Sequence, residues 1–139
     1  MRFYESSTDI AAAPAAVWDV LVDAGNWPTW ESDVRDVEGT VALGAKLKIT
    51  SEADPKRAFP VRVAELTPSR RLVFRGGMPL GLFKGVRTYT LTPAGDGTAF
   101  TMREEYTGLM LPLIWRSMLD LQPSFDQFAR GLKAKVEGG

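Results

Sequence analysis

Two adjacent carboxylates, Glu104 and Glu105, stand in the run FTMREEYTGL, Phe100 to Leu109, between an arginine and a tyrosine. Paired acids are the usual equipment of general acid/base chemistry. The run alternates as a strand does, and successive strand side chains point to opposite faces. Phe100, Met102, Glu104 and Tyr106 then share one face, and Thr101, Arg103, Glu105 and Thr107 share the other. The two acids therefore cannot converge on one substrate atom. Glu105 falls beside Arg103 on the solvent side, and Glu104 is left as the one charge on an apolar, inward face.

A lone inward carboxylate costs free energy unless a partner meets it. The preceding strand offers one. PAGDG at 93–97 is a hairpin turn signal. A turn through Gly95-Asp96 sets Arg87 opposite Glu104, whereas a turn through Asp96-Gly97 sets Tyr89 there, with Arg87 one pair away. Either register keeps Arg87, Tyr89 and Leu91 on the face of Glu104. An inward ion pair between Arg87 and Glu104, with Tyr89 in reach, is expected. Three roles stand open for it: a structural salt bridge, the polar floor of a ligand pocket, or an acid/base group with the Glu104 pKa raised by burial. The adjacent arginine would push that pKa down, which weakens the catalytic role.

Composition excludes other chemistries. Histidine and cysteine are both absent, so there is no Ser-His-Asp or Cys-His arrangement and no imidazole or thiolate metal site. No metal and no cofactor are expected. Lys+Arg and Asp+Glu number 17 each, and a neutral chain without a basic cluster does not suit a nucleic-acid partner. The N-terminus has no apolar signal-peptide core. No apolar run approaches the roughly 20 residues of a membrane span, so stable membrane insertion is not expected and a cytoplasmic location is.

The elements that must position these groups are legible. Residues 2–10 alternate as a first strand. Pro14 suits the start of a helix whose stripe is Val17, Trp18, Leu21 and Val22, with Gly25 closing it. Trp27 and Trp30 flank Pro28 in a short helical or looped segment. From residue 34 to 107 the pattern is that of about six strands in a meander, clearest in AKLKITSE, 45–52. Ile114, Met118, Leu121, Phe125, Phe128, Leu132 and Val136 then recur at helical spacing. Pro123 should kink that helix or divide it.

IAAAPAAVWDVLVDAGNWPTW at 10–30, GDGTAFTMREEYTGL at 95–109 and the closing FARGLKAKVE resemble the START-like (SRPBCC) superfamily, and within it the polyketide cyclase/dehydrase-type proteins. The likeness covers nearly the whole chain and implies one α+β helix-grip (START/Bet v 1-like) domain over 1–139. Its parts would be a curved antiparallel sheet of about six to seven strands, two short helices after the first strand, and a long C-terminal helix. It also implies a deep cavity between sheet and helix. On the strands, Phe74, Arg87, Tyr89, Met102, Glu104 and Tyr106 would face that cavity. On the helical segments Trp30, Trp115, Met118, Gln122 and Phe125 would do so. The apolar loops GGMPLGLF, 76–83, and TGLMLP, 107–112, would frame the entrance or form a dimer contact.

Binding of an apolar or amphipathic small molecule (a lipid, polyketide or aromatic compound) is the expected function, in a monomer or homodimer. One alternative is a cyclase- or dehydratase-like enzyme acting by positioning its substrate. The other is a non-catalytic interaction module whose core is filled by its own side chains. An open pocket walled by Arg87 and Glu104 separates the first two readings from the third.

Overall fold

The structure, a computed structural model, describes residues 1–138. Strand β1 (Arg2–Ile10) leads into helix α1 (Pro14–Val22) and a 3₁₀ segment, Ala24–Thr29. Six strands follow: β2 (Val34–Glu38), β3 (Lys46–Ser51), β4 (Phe59–Thr67), β5 (Arg71–Gly77), β6 (Lys84–Ala94) and β7 (Gly97–Thr107). Helices α2 (Leu111–Ser117) and α3 (Gln122–Glu137) complete the chain. Among the described residues no helix is long and apolar enough to cross a membrane.

The seven strands form one antiparallel sheet in the order β1-β7-β6-β5-β4-β3-β2. It is a meander in which the first strand returns to pair with the last. Register shifts at Val34/Asp36 and Val63/Glu65 add the local bend that a bulge brings, and the sheet curls around α3 as a half-barrel. Between β6 and β7, Ala94 pairs with Gly97, so Gly95 and Asp96 make the turn, with Gly95 at φ 59. This is the first of the two registers allowed by the sequence, and it sets Arg87 directly opposite Glu104.

The C-terminal helical pattern divides, but not at the proline. Met118 is extended at ψ 143, and α3 begins after a short connector with Pro123 in its first turn, where a missing N–H costs nothing. The Asp120 carboxylate accepts a bond from the Gln122 backbone N–H at 3.1 Å, which supports the new start. Further along α3, Gly131 allows close approach of the preceding loop: a Cβ there would collide with the Glu31 carbonyl oxygen.

Much of the interior is solid. Trp27 is wholly buried, and its indole N–H donates to the Leu21 carbonyl at 3.0 Å. Its ring lies 4.9 Å from Phe128 and 6.0 Å from Tyr89, with Phe74 and Phe100 closing the cluster. Large aromatics on facing elements thus occupy the space between α1, α3 and strands β5–β7. The deep cavity expected between sheet and helix is packed shut in this half of the grip. Two buried hydroxyls brace it: Ser32 donates to the Trp27 carbonyl at 2.7 Å and Thr98 to the Ala12 carbonyl at 2.7 Å.

Candidate functional site

Strand pairing builds the polar end of the interior in rows. Tyr4, Glu104, Arg87 and Phe74 stand opposite one another across β1, β7, β6 and β5. The row on one side carries Tyr106 and Gly85, and the row on the other carries Met102 and Tyr89. Arg87 donates from Nε to Glu104 Oε1 at 2.5 Å, and both side chains are largely buried, 25% and 16% exposed. The guanidinium also lies 4.8 Å over the Phe125 ring on α3, a favourable stack.

Gly85 makes the pair possible. A Cβ at this position would stand 2.6 Å from Glu104 Oε2, so the missing side chain is the room the carboxylate uses. The signal was present in the sequence as a glycine inside a strand, which commonly marks a close approach, two residues before Arg87.

Tyr89 and Tyr106 flank the pair. Tyr89 is wholly inaccessible and Tyr106 3% exposed; among the described residues neither hydroxyl makes a hydrogen bond of normal geometry, although Tyr89 lies close to Arg87 and Tyr106 close to Glu104. Burial pushes both phenols above their usual range. Arg87 offsets part of that rise at Tyr89, while the Glu104 charge adds to it at Tyr106. Burial works most strongly against the charge on Arg87 as well, but the facing Glu104 carboxylate together with Tyr89 and Tyr106 outweighs it and holds the guanidinium above its ordinary value. The four groups are a cation, the acid it pairs with, and two phenols that burial holds in the neutral form. Such a set can donate hydrogen bonds to a carbonyl, hydroxyl or carboxylate. It offers no free base.

Helix α2 roofs this end. Trp115 stacks on Tyr4 at 5.2 Å and meets Tyr106 at 5.7 Å, and Tyr4 donates to the Leu119 carbonyl at 3.4 Å. Within α2 only Leu111 is buried. Tyr4 and Phe83, which stacks on Tyr106 at 5.8 Å, belong to the surroundings and were not singled out in the sequence.

The remaining candidates divide. Phe125 and Trp115 meet the quartet, and Met102 adjoins it as a buried neighbour of Tyr89. Phe74 belongs to the aromatic cluster around Trp27. Trp30 packs on Phe128 at 5.4 Å and walls a surface groove of about 240 Å3 elsewhere. Met118 sits in the connector rather than on a helix. The Gln122 amide donates to the Glu5 carbonyl at 2.8 Å and to Asp126 Oδ1 at 2.9 Å, so both of its protons are engaged. A second groove, about 320 Å3, lies against Arg62, Arg75 and Lys84. Neither groove is lined by Arg87 or Glu104. Glu105 bonds Arg103 at 2.8 Å on the outer face, apart from Glu104.

Solved structures share this architecture. The Zhui aromatase/cyclase from Streptomyces sp. R1128 superposes with a TM-score of 0.76 at 15% identity, covering 98% of this chain and 93% of that one. A protein from Thermus thermophilus gives 0.73 at 20% identity over 97% of each chain. A START superfamily protein from Mycobacterium smegmatis gives 0.70 at 14% identity, covering 98% and 97%. Among curated proteins no relative matches the sequence. The curled seven-strand sheet gripping a C-terminal helix is the START-like helix-grip fold. Residues 1–137 match the model of the family described as polyketide cyclase / dehydrase and lipid transport, and the chain belongs to that family.

Proposed function

We propose that the chain binds a small apolar or amphipathic molecule beneath α2, with the polar end of that molecule at Arg87, Glu104, Tyr89 and Tyr106. One observation carries this reading: beside an inward ion pair two phenol hydroxyls are buried and, among the described residues, make no hydrogen bond of normal geometry even to the adjacent Arg87 and Glu104. A buried hydroxyl left unpaired costs about 1–3 kcal/mol, and a closed structural salt bridge has no need of two. A ligand carbonyl or hydroxyl would satisfy both. The apolar remainder would lie along Phe125, Trp115 and Tyr4.

Neither groove is walled by Arg87 and Glu104, which is the outcome set for a filled-core interaction module, so ligand binding requires α2 to lift; the Trp27 cluster closes the other half. The short helix and its extended connector suit a movable wall better than α3 does. A cyclase reading is less well supported. Enolisation needs a base, and here both phenols are pushed up while Glu104 is committed to Arg87.

Native mass spectrometry of the chain purified from its own host tests the reading. A bound mass is expected in the unaltered protein and lost in Arg87→Ala and Glu104→Gln, with both variants still folded. Variants that unfold while no mass accompanies the unaltered chain would make the pair a structural salt bridge.

A further inference from the structure

Leu80 breaks two local rules at once. It sits at the tip of the turn between β5 and β6 with φ 61 and ψ 20, the left-handed region that side chains avoid. Its own side chain is 95% exposed. Its turn is closed by the Met78 N–H donating to the Phe83 carbonyl at 2.8 Å and the Leu82 N–H to the Pro79 carbonyl at 3.3 Å, which holds the leucine out at the surface, where an apolar side chain this exposed suits a partner. Leu109, 88% exposed, and Leu113, 62% exposed, continue the apolar surface. Their loop is tied to that of Leu80: the Met110 N–H donates to the Leu82 carbonyl at 2.8 Å, and Gly108 lies against the Gly81 and Leu82 backbone.

The adjoining groove supplies charge. It brings Arg62, Arg75 and Lys84 together with Met78 and Phe83 of the same turn. Arg62 and Arg75 stand directly opposite each other across β4 and β5, a position where like charges repel. Among the described residues none of these three cations has an ion-pair partner. The chain as a whole is neutral, so the excess is local.

We infer that this rim docks on an anionic lipid bilayer, with Leu80, Leu109 and Leu113 entering the acyl boundary and Arg62, Arg75 and Lys84 meeting headgroup phosphates. A soluble anion would answer the cations and leave the leucines unexplained. A second copy of the chain would answer the leucines but gather the three unpaired cations of both partners into one interface, since a closed dimer uses the same patch twice.

Vesicle flotation tests this, using phosphatidylcholine vesicles with and without phosphatidylglycerol. The chain is expected to float only with the anionic vesicles and to be released by added salt. Arg62→Gln and Arg75→Gln should each weaken binding about fivefold. Leu80→Gly should abolish flotation without lowering the melting temperature, because glycine accepts the left-handed conformation freely. The inference is overturned if the unaltered chain ignores anionic vesicles. It is overturned too if Leu80→Gly floats unchanged while inorganic phosphate competes, or if sedimentation shows a dimer that Leu80→Gly dissolves. The vesicles carry no interior ligand, so failure here leaves the niche beneath α2 untouched, and the reverse holds as well.

Discussion

At the level of single residues, strand alternation proved enough to part Glu104 from Glu105 and to point Arg87 at the former. It could not show that Tyr89 and Tyr106 lack partners, because hydrogen bonding inside a fold depends on neighbours from several strands. The role of Gly85 lay between the two: a glycine within a strand is visible, but what it makes room for appears only once Glu104 is placed. Gly85→Ala is therefore informative. The methyl would displace a carboxylate that Arg87 holds, so stability measured by urea unfolding should fall by about 1–3 kcal/mol. The displaced carboxylate would also leave its place in the proposed polar site, and the bound mass should fall. A fully loaded Gly85→Ala protein would remove Gly85 from the site.

Among the elements, strands and turn chemistry were the most legible, since PAGDG limited the β6–β7 hairpin to two registers and both kept Arg87 inward. The split between α2 and α3 was less so. Apolar residues keep helical spacing through the connector, and the proline that seemed to mark the break instead starts α3. The far end of α3 is fastened by Glu137, which accepts bonds from the Ala11 N–H at 2.8 Å and from Lys133 at 2.6 Å. Those two bonds hold its carboxyl below the ordinary value of 4.5. A carboxyl with a lowered folded pKa lends stability that is present above its unfolded value and is lost as pH falls through the folded one. Thermal melts at pH 7 and at about pH 3.5 should therefore show a smaller acid loss in Glu137→Gln than in the unaltered chain. Equal losses would mean that the tie contributes nothing.

For the whole molecule, the helix grip could be read from element order and the likeness to its family, whereas the state of its interior could not. Apolar faces on sheet and helix look the same in sequence whether they enclose a cavity or pack together. Here they do the latter around Trp27, and the proposed ligand site lies instead at the polar quartet beneath α2. The most direct measurement is a paired one on Tyr89→Phe and Tyr106→Phe: melting temperature, and the mass carried in native mass spectrometry. If the hydroxyls face a ligand, each substitution removes an unpaired buried group, so the melting temperature of the empty chain should hold or rise while the bound mass is lost. A lower melting temperature with the bound mass unchanged would contradict a ligand-facing role for these hydroxyls.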